Sequence, residues 1–153
     1  MAITSFGFEK VLNELRKAQN NAVFDKRIFR ELQMIAEEAC NKARNDFPTR
    51  DSGGYDDHTR NLRGSIGFKI FFSGEEVARG GLDGLGSEKG ESVANAKLND
   101  FEATDALWEI VVIAGMEYAR YVEAKGYRVI SFVQSYLDNE ITKLKQAIKS
   151  GEL

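Results

Sequence analysis

The sequence predicts an α+β domain, a small curved antiparallel sheet packed by two N-terminal helices and one long C-terminal helix. Three observations predict it. Ile66–Phe72 alternates apolar and other residues with the period of a strand, and Leu107–Ala114 is apolar at nearly every position. The stretches before and after them repeat apolar residues at helical spacing. Hydrophobic residues make up 42% of 153, enough to bury one core, so a single domain over residues 1–153 is expected.

Phe8, Val11, Leu12 and Leu15 fall at i, i+3, i+4 and i+7, which predicts a helix over Phe8–Asn20 with Ser5 in its N-cap region. Phe24, Ile28, Leu32, Ile35, Ala39 and Ala43 predict a second helix, from Asp25 to Asp46, that Pro48 ends. Cys40, the only cysteine, lies beside that stripe. It excludes an internal disulfide or a cysteine metal cluster and reads as a small core filler. Thr49–Asp57 is dense in glycine and aspartate and reads as loop. Thr59 then caps one helical turn, Arg60 to Ser65.

In Ile66–Phe72, Ile66, Phe68, Ile70 and Phe72 form one apolar face. Ser73-Gly74 is a turn, and Glu75 to Arg79 a short return strand. Gly80–Asp105 carries five glycines in its first half and reads as a long flexible insertion with a little helix at Val93–Leu98. Leu107–Ala114 is apolar on both faces except at Glu109, which predicts a central strand. A helical turn is expected over Met116–Glu123. Phe132, Val133, Tyr136, Leu137, Ile141, Leu144 and Ile148 predict the last helix, Ser131–Lys149.

The formal charge of −3 argues against a dedicated nucleic-acid surface. The N-terminal residues lack a basic segment followed by a long apolar run, so no signal peptide is expected. The longest apolar stretch, Ile110–Ala114, is far short of the about 18 residues a membrane span needs, and no membrane partner is expected. His58 with Asp51, Asp56 and Asp57 is the one carboxylate-rich cluster around a histidine. Its spacing is not that of a calcium loop, and zinc needs more histidines or cysteines. No nucleophile elbow accompanies it. Gly81–Gly90 lacks both the phosphate-loop and the dinucleotide glycine patterns. No catalytic residue, metal or cofactor is therefore expected. Arg60, Arg63 and Lys69 form a small basic group suited to carboxylates on a neighbouring element or subunit, or to a nucleic-acid backbone. Tyr118, Tyr121, Tyr127 and Phe132 belong mostly to the core, with Tyr121 and Tyr127 as interface anchors beside a glycine turn.

Two short stretches carry a resemblance. Thr59-x-Asn61-Leu62-Arg63-x-Ser65-Ile66 resembles the T-G-x-L-R-x-S-I segment of the tail-completion, or neck, proteins of long-tailed phages and prophages. Tyr118-Ala119-x-Tyr121-Val122-Glu123-x-x-Gly126 resembles their Y-A-x-Y-V-E-x-G segment. The order of elements matches along nearly all the chain outside Gly80–Asp105. The chain departs from the pattern at Arg60, where the family has glycine. It also carries an extra residue between Glu123 and Gly126, and lacks the usual proline before the last helix.

The resemblance implies a virion protein assembled in the bacterial host cytoplasm, and not an enzyme. It implies a homo-oligomeric ring, roughly six- or twelve-fold, between the portal or connector and the tail tube or tail terminator, with genomic DNA passing through unread. Thr59, Asn61, Leu62, Arg63, Ser65, Tyr118, Tyr121, Glu123, Gly126 and Tyr127 are then the expected interface residues. Two other readings compete. One is a small binding module of the antitoxin or immunity type, compact as a monomer or dimer. The other is a metal-dependent hydrolase using Asp56, Asp57 and His58.

Overall fold

A computed structural model of the chain describes residues 2–7, 21–45, 61–82, 87–115 and 130–151. Among these residues the strands are β1 (Ala2–Gly7), β2 (Ile66–Phe72), β3 (Glu75–Gly80) and β4 (Trp108–Ala114). The helices are α1 (Asn21–Asn45), α2 (Asn61–Gly64), α3 (Glu88–Asp100) and α4 (Ile130–Lys149). All strand pairs are antiparallel, in the order β1-β4-β2-β3, so the chain is α+β as its pattern predicts.

Strand β4 is central because its side chains are apolar on both faces and every residue in it is buried. Trp108, Ile110, Val112 and Ala114 point to one face, where they meet Ile66, Phe68 and Ile70 of β2. Helices α1 and α4 close that face with Phe24, Ile28, Leu32, Val133, Leu137 and Ile141. Each of these large side chains contributes about 1.5–3 kcal/mol by leaving water. Val111 and Ile113 point the other way, where α3 sets Ala94 and Leu98 against them and Phe71. The sheet is thus the middle layer of three.

That second helical layer corrects the sequence reading in two places. The little helix expected at Val93–Leu98 is thirteen residues long, Glu88–Asp100. Ser87 starts it as a true N-cap, its hydroxyl accepting from Gly90 N at 3.0 Å, with Glu88 and Glu91 near the positive end of the dipole. And β2, expected to have one apolar face, is buried on both, because α3 covers the second.

The N-terminal residues bring a third correction. Ser5, expected near a helix N-cap, lies in β1 and pairs with Val111. The helix expected over Phe8–Asn20 and the turn over Met116–Glu123 lie outside the described residues, as does the loop Thr49–Asp57. The second predicted helix starts earlier than expected, at Asn21, and ends at Asn45. The last begins at Ile130 and ends at Lys149.

The hairpin between β2 and β3 turns on Ser73 and Gly74, both at positive φ (49° and 84°). That is the signature of a primed two-residue turn, whose twist matches the strands. Ser73 N also donates to the Leu107 carbonyl at 2.8 Å, pinning the turn to the start of β4. The pairing slips between Ile70 and Phe71, so Val77 is an extra, bulged residue, 43% exposed. Gly81 follows β3 at φ 81°. A Cβ there would stand 2.7 Å from Cys40 Sγ, so only glycine lets the chain pass between α1 and Phe68.

Candidate functional site

The first motif enters the structure at α2, formed by Asn61, Leu62, Arg63 and Gly64. The Arg63 guanidinium donates from Nη1 to the main-chain carbonyl of Arg44, 2.9 Å away, in the last turn of α1. Carbonyls at a helix C-terminus lack partners within the helix and carry the negative end of its dipole, so a cation there is stabilised. Arg44 is buried and reaches onward, donating from Nη2 to the Ile66 carbonyl at 3.1 Å and from Nη1 to Asn41 Oδ1 at 3.3 Å. The two arginines tie the end of α1 to the joint between α2 and β2.

Ser65 is buried, and its carbonyl accepts from Gly115 N at 2.9 Å. This bond joins the residue before β2 to the residue after β4. The first motif runs into β2 at that point, and the second motif begins shortly after Gly115. The sheet therefore sets the end of the first motif beside Gly115, the last described residue before the second. Thr59, Tyr118, Tyr121, Glu123, Gly126 and Tyr127 lie outside the described residues, together with Arg60, Asp51, Asp56, Asp57 and His58.

Lys69 meets a carboxylate on a neighbouring element, as expected for this basic group, but it does so in the interior and not at the surface. It is 6% exposed on the β2 face under α3. Its ammonium donates to the Leu98 carbonyl at 2.9 Å, in the last turn of α3, and stands 3.4 Å from Glu76 and 5.0 Å from the Phe71 ring centre. Arg79 holds the same carboxylate at 2.7 Å. Arg79 above all, with a smaller part from Lys69, holds the Glu76 carboxyl below its usual range, against the opposing effect of partial burial. Glu109 is buried on the same face of β4 and accepts from Thr104 N at 3.3 Å and from the Thr104 hydroxyl. Sequence pattern marked Glu109 as an exception and missed the burial of Lys69, whose place in an alternating strand looks like a wet position.

Sequence reasoning also missed a groove of about 370 Å³ between α1 and α4. Glu31, Glu37 and Glu38 line it from α1, and Tyr136 and Glu140 from α4, with Met34 at its lip. Lys42 reaches across, 3.8 Å from Glu38 and 5.4 Å from the centre of the Tyr136 ring. Burial first, then the Glu140 and Glu38 carboxylates, push the Tyr136 phenol up to about 12, so it stays a neutral hydroxyl. The groove is thus an acidic trough with an apolar lip, suited to binding cationic side chains and not to proton transfer near neutral pH.

Burial pushes the Cys40 thiol up to about 12, which makes it inert as a nucleophile near neutral pH. Among the described residues no three His, Cys, Asp or Glu side chains converge to hold a metal, and no helix is long and apolar enough to cross a membrane. No family model, no curated protein and no solved structure matches this chain.

Proposed function

We propose that this chain is a structural virion protein that forms a ring at the neck of a long-tailed phage and joins the DNA-filled capsid to the tail. The observation that carries the reading is the pair of motif resemblances and their order along the chain. The Gly115 N to Ser65 carbonyl bond sets the exit of β4 beside the entry of β2, where the first motif ends. In a ring each subunit meets its neighbours head to tail, and the two motifs are the segments that the resemblance gives to that contact. The N-terminal helix expected over Phe8–Asn20 and the interface roles of the motif residues belong to this reading. So do the partners, which are further copies of the chain, the portal or connector, and the tail tube or terminator.

The test is a joining assay in phage-infected cells lacking this chain. Full capsids and finished tails should accumulate apart, and purified protein added to the mixture should join them. Negative-stain images should then show rings of roughly six or twelve subunits at the joint. Infectious, joined particles in the absence of the chain would sink the proposal.

A further inference from the structure

The outer stripe of α1 has a property that solvated helix faces do not need. Val23, Arg27, Arg30, Met34, Glu37 and Asn41 are all exposed. Their steps of 4, 3, 4, 3 and 4 residues average the 3.6 of an α-helix, so they stand in one line about 27 Å long. Two of the three large apolar side chains most exposed among the described residues, Val23 (49%) and Met34 (60%), lie on it.

Charge along the stripe is segregated. Lys26, Arg27 and Arg30 make the N-terminal half basic. Glu37 and Glu38 make the C-terminal half acidic, and with Glu31 beside the midpoint they line the groove that α4 deepens with Glu140. The stripe is also its own reverse. A second helix laid antiparallel, with a two-fold axis at the level of Leu32, sets Val23 against Asn41, Arg27 against Glu37 and Arg30 against Met34, since each pair of numbers has the same midpoint. The basic half of each copy then lies along the acidic groove of the other.

We infer that this stripe is a docking surface for a second copy of the chain, bound antiparallel about a two-fold axis, with Arg27 of each copy meeting Glu37 of the other. Isologous contacts use one patch twice, so one favourable pair is made twice. Arg27 has an interaction within its own chain, and the five donors of a guanidinium serve both. The Arg30 stem covers the Met34 side chain, a use of arginine that needs no countercharge. A single helix seam is small, so the dimer is weak, with a dissociation constant above about 1 μM, and salt loosens it further. The inference does not depend on the neck proposal.

Sedimentation from about 10 μM to about 1 mM tests it. The wild-type mass should rise from 17.1 kDa towards twice that value. R27E and E37R should each stay at the monomer mass, because each sets like charges together. Both sites are exposed, and far-UV circular dichroism checks that the variants keep the fold. An equimolar mixture of R27E and E37R should associate again, since each supplies what the other lacks. The double variant R27E/E37R, with the wild-type net charge, should do so alone. Three results each overturn the inference. These are a wild type that stays monomeric throughout, a single variant that associates as the wild type does at any stoichiometry, and a folded mixture that stays monomeric.

Discussion

On one face of the sheet, α1 and α4 bury a continuous cluster that runs from Phe24 through Phe68 and Ile110 to Ile148. On the other, α3 brings only Ala94 and Leu98 to Phe71, Val111 and Ile113, with Leu82, Phe101 and Ala103 at the margin. The first face is held chiefly by apolar area. The second has little area and adds a directed contact, the Lys69 ammonium under the last turn of α3. Where area is scarce, a buried cation that finds a helix C-terminus and a carboxylate fixes position, although its desolvation offsets much of the energy it brings.

The first way to break this contrast is at the thick face. Phe68→Ala removes a side chain 1% exposed from the centre of the sheet and should cost about 3–5 kcal/mol in chemical denaturation. The loss should be global. Cys40, buried in the same cluster and the only cysteine, supplies an independent readout, since its alkylation should track whole-chain opening and speed up in this variant. Leu98→Ala at the thin face should cost less, about 2–3 kcal/mol, because α3 can settle into a small cavity at its margin. Its hydrogen-exchange pattern should differ in kind. Amides of α3 should lose protection first, while those of β4 and α4 keep theirs. Equal loss everywhere would mean that the two faces open as one unit.

Lys69→Met sharpens the contrast by keeping the apolar stem and removing the charge. It leaves the Leu98 carbonyl without this donor and should cost about 1–3 kcal/mol, felt mainly in α3. A variant as stable as the wild type would show that the thin face is held by packing alone.

The same contrast explains what could be read from the sequence. The thick face was legible because its residues repeat at the periods of the elements that carry them: Phe24, Ile28 and Leu32 on a helix, and Ile66, Phe68 and Ile70 on a strand. The central place of β4 followed from its lack of a polar face. The thin face was under-read for the opposite reason. Its helix has three buried residues, Gly90, Ala94 and Leu98, two of them too small to mark a stripe. The signal that was present is local, Ser87 followed by Glu88 and Glu91. Strand β1 escaped because an edge strand owes its form to pairing with β4, and Ala-Ile-Thr-Ser-Phe-Gly has too weak an alternation to announce it. At the candidate site, the motif order could be read from residues alone. The Ser65–Gly115 bond and the capping of α1 by Arg63 join residues far apart in the chain, which no local pattern encodes.

The smallest expected effect lies at the rim of the thin face, in the Glu76 carboxylate that Arg79 and Lys69 share. Its ordinary pKa is 4.5, and in the fold it is held lower, chiefly by the hydrogen bond from Arg79. A group whose folded pKa is depressed stabilises the fold while ionised. The contribution is therefore complete above the ordinary value and is lost as pH falls through the lower, folded one. Glu76 is 36% exposed at its side chain, so water screens the pair and the neutral-pH effect of Glu76→Gln should be small, about 0–1 kcal/mol. The informative quantity is a difference of slopes. Wild type should lose stability between neutral pH and strongly acidic pH slightly faster than Glu76→Gln, and α3 amides should report the loss before β4 amides do. When Lys69→Met is already present, the further effect of Glu76→Gln should shrink without vanishing, since Arg79 remains at 2.7 Å. Parallel curves for Glu76→Gln and wild type would show that the lysine holds α3 through the Leu98 carbonyl alone, with the carboxylate only keeping it company.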